Sequence, residues 1–206
     1  MDCGIGQGWH QRLASMLSSH LEIPREGHMQ DLLHVFAYLK KHMNTEMVFD
    51  PSEPEIDMNY FQSQEWSYLI YSSPGEELKE ALPPNTTKPL GHGFKIRCFV
   101  DADPARESLT RRSQTGFIVM LNNAPIYWHS KKQTSVETTT FGSEMVAMNQ
   151  AADYIRGFLY NLRMFGIPVE EPSYMYGDNQ SALAGSTRPE SILKNKAQNI
   201  AFHLIR

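Results

Sequence analysis

Three carboxylates, Asp101, Glu144 and Asp178, stand where the local residue pattern directs them toward one place. Asp101 closes an alternating run, Lys95 to Asp101, in which Ile96, Cys98 and Val100 face one way and Asp101 shares the other side with Phe99. Asp178 closes a second extended run, Ser173 to Asp178, on the side of Tyr174 and Tyr176. Glu144 falls in the first turn of a long helical pattern, Gly142 to Phe165, one turn before Met148 and two before Ala151, which places it on the apolar stripe facing the sheet. If the two strands are neighbours under that helix, three acids meet at one edge of the core. Their mutual repulsion would push their pKa values apart, and divalent cations would relieve it. Oxygen-only ligands suit Mg2+ or Mn2+ far better than zinc. Taken singly, an Asp at a strand end is usually a turn former, and a Glu in a first turn complements the helix dipole. The inward orientation of Glu144 is what sets the group apart, because an acid on a core face needs a partner.

The elements that must position these acids follow from periodicity and turn chemistry. Thr115 to Leu121 and Pro125 to His129 read as two further strands, joined by Asn122-Asn123, a pair suited to a tight hairpin because Asn tolerates positive φ. The long helix carries the stripe Met148, Ala151, Ala152, Ile155, Leu159 and Leu162, and Gly166 stands at its end as a C-terminal cap. Met145, Met148 and Met164 read as core packing, and Tyr127 and Trp128 as core aromatics of a central strand, with stacking on a sugar or base as the alternative. Gln180 to Ala184 is a short helix and Glu190 to His203 a last one, giving the order β-β-β-α-β-α-α. Upstream, Leu32, Leu33, Val35, Phe36 and Leu39 recur at helical spacing between Glu26 and Met43, and Glu46 to Phe49 reads as a short strand. The dense Pro, Gly and Ser punctuation of residues 62 to 93, with a short acidic helix at Glu76 to Ala81, marks a connector. The expected organisation is a helical and extended connector over 1–61, an irregular linker over 62–93 and an α/β (α+β) domain over 94–206.

Composition bounds the function. The chain has 206 residues, 41% hydrophobic and 20% charged, which is ordinary globular composition. Its net charge of −4 argues against binding nucleic acid by bulk electrostatics, so any such contact must be local. The two cysteines, Cys3 and Cys98, are too few for a disulfide framework or a four-cysteine zinc site. No apolar run approaches the roughly eighteen residues of a membrane span. The N-terminal residues have no basic stretch followed by an apolar core, so no secretory signal is read there. An intracellular, cytoplasmic setting without membrane contact is expected.

The blocks around the acids carry a resemblance. Phe99-Val100-Asp101-Ala102-Asp103, Arg111-Arg112-Ser113-Gln114-Thr115-Gly116, the run from Ala124 to Gln133, Phe141-Gly142-Ser143-Glu144, Tyr176-Gly177-Asp178-Asn179-Gln180-Ser181-Ala182 and Ile200-Ala201-Phe202-His203 occur in the order found in ribonuclease H domains of copia-type retrotransposon polyproteins. Residues 95 to 206 resemble that domain, and residues 10 to 60, with Gly27-His28 and Ala37-Tyr38-Leu39-Lys40, resemble the segment joining polymerase to nuclease.

The resemblance implies a ribonuclease H-like mixed sheet: three antiparallel strands, then helical crossovers to parallel strands. It also implies hydrolysis of the RNA strand of an RNA–DNA hybrid with two Mg2+ or Mn2+ ions, which such sites hold roughly 3.5–4 Å apart. By motif, Asp101, Glu144 and Asp178 correspond to the first, second and third catalytic, metal-binding acids. The order Asp, Glu, Asp is that of the nucleases, whereas integrases and transposases of this fold run Asp, Asp, Glu. The expected partners are the hybrid and the polymerase portion of the same polyprotein.

Asp103 and His203 are candidate auxiliaries. Arg111, Arg112, Lys131 and Lys132 are candidates for phosphate contact, and Asn179 and Gln180 for a sugar 2′-hydroxyl. Two departures from the family pattern stand out. Pro104 follows Asp103 and is expected to disturb the end of the first strand, and no acid follows Glu190, where a fourth ligand is usual. They keep open a second reading: a decayed retroelement fragment that binds a hybrid, or assembles, without cutting.

Overall fold

The computed structural model describes residues 14, 17–18, 20–61, 83–104 and 110–187. The helices expected at Glu76–Ala81 and Glu190–His203, and with the latter His203, lie outside the described residues. The elements are helix α1 (Glu26–Lys41), strands β1 (Phe94–Asp103), β2 (Gln114–Leu121) and β3 (Ala124–Lys132), helix α2 (Thr140–Met164), strand β4 (Val169–Tyr176) and helix α3 (Gln180–Thr187). They form a mixed α/β architecture compatible with a ribonuclease H-like fold.

The four strands make one sheet in the order β3-β2-β1-β4. β1 pairs antiparallel with β2 and parallel with β4, and β2 pairs antiparallel with β3. The chain therefore runs a meander outward from β1 and returns through α2, which packs on β1 and β2, to place β4 on the other side of β1. The first and fourth strands are neighbours, as the convergence of the acids required. The hairpin is built as its residues suggest: Asn122 takes φ +53°, and its side chain accepts from Lys95 N–H at 2.9 Å and donates to the Pro51 carbonyl at 2.9 Å.

Alternation divides the sheet into two faces. Ile96, Cys98, Val100 and Ala102 of β1 are buried in one core with Met145, Met148, Ala151 and Ile155 of α2. Burial pushes the Cys98 thiol up to about 12, so it is an inert core residue. An aromatic group extends this core toward β3, where Tyr127 stacks on Tyr154 at 3.9 Å and Phe117 on His129 at 4.8 Å. At the far end of α2, Gly166 takes φ +70° and Ile167 N–H bonds back to the Leu162 carbonyl at 2.9 Å. A Cβ at Gly166 would lie 2.7 Å from Thr87 Cγ2, so glycine serves both the left-handed backbone and the close approach of residues 87–90.

The opposite face receives part of residues 51–61. Phe61 meets Tyr174 and Tyr176 edge-on at 4.9 and 5.2 Å, and Tyr176 stacks on Phe99 at 4.9 Å. Glu53 forms an ion pair with Lys95, and the Asn123 side chain donates to Ser52 Oγ at 2.9 Å. Residues 51–61 are thus tied to the sheet itself.

Four expectations need correction. Glu46–Phe49 is irregular, with Val48 and Phe49 exposed, because no strand lies beside it among the described residues to complete a ladder. Trp128 is 44% exposed: β3 is an edge strand of the described sheet, and Trp128 points to the face away from α2. Met164, at the last turn of α2, is exposed while Met145 and Met148 are buried. Pro104 does not disturb the strand end, since β1 stays in register with β2 through Asp103 opposite Gln114.

Candidate metal centre

The last pairing between β1 and β4 sets Phe99 opposite Tyr176; beyond it β1 continues to Asp103 while β4 ends. The two parallel strands therefore part at their carboxyl ends, the place where α/β sheets gather ligands. Asp101 stands on β1 in this gap, and Asp178 lies two residues past the end of β4. Glu144 enters from above. Its helix begins at an N-cap, Thr139, whose hydroxyl accepts from Gly142 N–H at 3.0 Å, and Ser143 Oγ donates to the Thr140 carbonyl at 2.8 Å. That turn drives the Glu144 side chain to the sheet, where its carboxylate accepts from the backbone N–H of Ala102, three residues past the last β1–β4 pair.

The three carboxylates meet there. One oxygen of each of Asp101, Glu144 and Asp178 lies within 4.8 Å of the others. Glu144 is 4% exposed, whereas Asp101 and Asp178 are open to solvent. Burial, and then the charges of Asp101 and Asp178, push the Glu144 carboxyl up to about 7, against the opposing pull of the Ala102 N–H. Among the described residues no cationic side chain offsets this rise, and a proton or a cation from solution would relieve the crowding. Three carboxylates, two reachable by solvent and one buried, form an all-oxygen donor set of the kind that hard divalent cations take.

The remaining candidates distribute unevenly. Asp103 sits at the end of β1 and stays outside the three-acid group. Lys131 and Lys132 are consecutive on β3, so they project to opposite faces of the sheet. Lys132, opposite Gln114 and in line with Asp103, shares the face of Asp101, while Lys131, opposite Thr115, lies on the helix side. There it depresses the titration of His129, after burial as the larger cause. Arg111, at φ +55°, and Arg112 are exposed in the loop entering β2. Asn179 Oδ1 accepts from the N–H groups of Ser181 and Ala182 at 3.0 and 3.1 Å, capping α3, and Gln180 is exposed on its first turn.

A buried polar link beside Glu144 escapes sequence reasoning. Gln133, 1% exposed, donates from Nε2 to Thr115 Oγ1 at 3.0 Å and to the Ser143 carbonyl at 2.9 Å. Gln133 closes the resemblance block that runs from Ala124, but a Gln just past a strand carries no sign of a buried role in its own residue type.

With this geometry in place, comparison with known proteins gives a partial answer. The chain is similar to "Retrovirus-related Pol polyprotein from transposon RE2" of Arabidopsis thaliana, 28% identical over 116 residues. It is also 28% identical over 116 residues to the polyprotein of transposon RE1 of the same plant, and 27% identical over 111 residues to that of transposon TNT 1-94 of Nicotiana tabacum. The matches cover 54–56% of this chain but only 8% of each polyprotein. No protein-family model matches the chain. The chain is thus similar to a small part of the length of these retroelement polyproteins. Among the described residues, no helix is long and apolar enough to cross a membrane.

Proposed function

We propose that this chain is a ribonuclease H-type nuclease of a retrotransposon polyprotein, cutting the RNA strand of an RNA–DNA hybrid during reverse transcription. The observation that carries the reading is the grouping of Asp101, Glu144 and Asp178 within 4.8 Å at the parting ends of two parallel strands. Similarity to retrovirus-related Pol polyproteins supports the biological setting, and the residue blocks around the acids support the reaction.

The donor set fits divalent cations, with Mg2+ or Mn2+ as the expected pair of ions. Bound there, they would supply the positive charge that activates water and stabilises a leaving 3′-oxygen. Asp101 and Asp178, both exposed, hold their carboxylates toward the substrate side, while the buried Glu144 holds its own against the Ala102 N–H. Because its carboxyl titrates near 7, Glu144 gives up a proton as the site fills. In this reading Lys132, on the Asp101 face, and the exposed Arg111 and Arg112 contact phosphate, which positions a duplex without reading its sequence.

The test is cleavage of a hybrid labelled separately on each strand, with Mg2+ or Mn2+, by the chain and by Asp178→Asn. Metal-dependent cutting of the RNA strand alone, lost in a variant with an unchanged melting curve, is the expected result. A folded chain that binds the hybrid without cutting would identify a binding module instead.

A further inference from the structure

The buried amide of Gln133 links the strand pair that carries Asp101 to the helix turn that carries Glu144. The Ser143 carbonyl belongs to the peptide group whose nitrogen is that of Glu144, so holding this oxygen fixes the plane from which the Glu144 side chain departs. A carbonyl only accepts, so Gln133 must present Nε2 to it, and the second Nε2 hydrogen goes to Thr115 Oγ1. Thr115 lies on β2 directly opposite Ala102 of β1, and the Ala102 N–H donates to the Glu144 carboxylate. The Gln133 backbone N–H is itself fixed by the Ser113 carbonyl at 2.8 Å. A closed circuit results: from Asp101 to Ala102, across to Thr115, through Gln133 to Ser143, and through Glu144 back to Ala102.

The amide is also costly where it stands. Its Oε1 is buried and finds no hydrogen-bond partner among the described residues. An apolar side chain of similar size would avoid that cost but would take the Nε2 donor away from the buried Thr115 hydroxyl and the Ser143 carbonyl, so what the amide supplies here is the link itself.

The geometry points to Gln133 as a positioning residue: it sets the spacing between Glu144 and Asp101, and thereby the affinity of the acid cluster for divalent cations. The inference rests on the proposed nuclease reading, but its primary readout, metal affinity, does not require cleavage.

The experiment compares the full chain with Gln133→Leu, Thr115→Val and Ile155→Ala by calorimetric Mn2+ titration, thermal melting and hybrid-cleavage kinetics. Gln133→Leu is expected to weaken Mn2+ binding by about tenfold, the lower end for residues that orient metal ligands. It should also raise the Mn2+ concentration for half-maximal cleavage by the same factor, lowering kcat while leaving KM for the hybrid in place. Thr115→Val, which removes only the strand end of the link, should weaken Mn2+ binding by a smaller factor; it carries the test if Gln133→Leu does not fold. Ile155→Ala empties core in the same helix, about three turns from Glu144, and should lower the melting temperature with Mn2+ affinity unchanged. Wild-type Mn2+ affinity in Gln133→Leu, or in Thr115→Val where only that variant folds, overturns the proposal. So does an equal loss in Ile155→Ala, which would reduce the effect to general destabilisation. Cleavage missing from a wild-type chain that binds Mn2+ would overturn the nuclease reading and leave the positioning claim to be judged on affinity. A wild-type chain that binds no Mn2+ would overturn both.

Discussion

Replacing Glu144 with glutamine should stabilise the metal-free protein, and only when the solution is not acidic. The amide would keep the shape of the side chain and still accept from the Ala102 N–H, but it carries no charge beside Asp101 and Asp178. In the wild type the Glu144 carboxyl is raised from 4.5 to about 7, and this fixes the direction of the pH dependence. Well below pH 4.5 both the folded and the unfolded chain hold the proton, and no cost arises. As pH rises toward 7 the unfolded chain ionises first, so stability falls; above 7 both are ionised and the cost is constant. At about 1.4 kcal/mol per pKa unit, the cost is about 1 kcal/mol near pH 5 and about 3 kcal/mol near pH 8. Glu144→Gln should therefore gain about 2 kcal/mol more over wild type near pH 8 than near pH 5, a shift of roughly 1–2 M in the urea midpoint. The assay is urea denaturation in EDTA at both pH values, repeated with Mg2+ at the higher one. Mg2+ should restore the wild type toward the variant and leave the variant unmoved. Parallel pH profiles for the two proteins in EDTA would refute the claim that buried charge crowding sets the state of this site.

Other outcomes follow from the same geometry. Lys132→Ala should weaken hybrid binding and reduce the slope of log affinity against log salt by about one, while Lys131→Ala, on the helix side, should leave the slope in place; gel-shift titrations across a salt series decide this. Gly166→Ala should destabilise the fold by about 1–3 kcal/mol in denaturant titration, because alanine disfavours φ +70° and its methyl group would press on Thr87. An unchanged midpoint would show that residues 87–90 do not pack against this turn.

The acids are legible in the sequence because each depends on short-range periodicity. Strand alternation puts Asp101 with Phe99, and the helical repeat puts Glu144 on the stripe with Met148 and Ala151. Their meeting depends on strand order, which periodicity does not encode; hence the adjacency of β1 and β4 enters only as a condition. The expected extended run begins at Ser173; the start of β4 at Val169 is hidden because Glu170, Glu171 and Pro172 are poor strand formers. Proline is tolerated there since β4 is an edge strand in the described sheet, and the ladder with β1 skips at that point, between Lys95 and Arg97. Trp128 reads as core for a related reason: only sheet order shows that β3 is an edge. The Lys131-Lys132 pair looks like one patch in sequence, yet a strand sends consecutive side chains to opposite faces. Gln133 closes one of the resemblance blocks, but its role is not legible there, because it depends on a helix turn ten residues away in sequence.

On the proposed reading, Asp101, Glu144 and Asp178 are held together to be neutralised by divalent cations. Calorimetric titration of the metal-free chain with Mn2+ near pH 8, beside Asp101→Asn, tests it most directly. Saturable binding is expected, with proton release that grows as pH is lowered toward the Glu144 titration near 7, and at least a tenfold loss of affinity in the variant. Equal Mn2+ binding by both proteins, or none by a folded wild type, would contradict it.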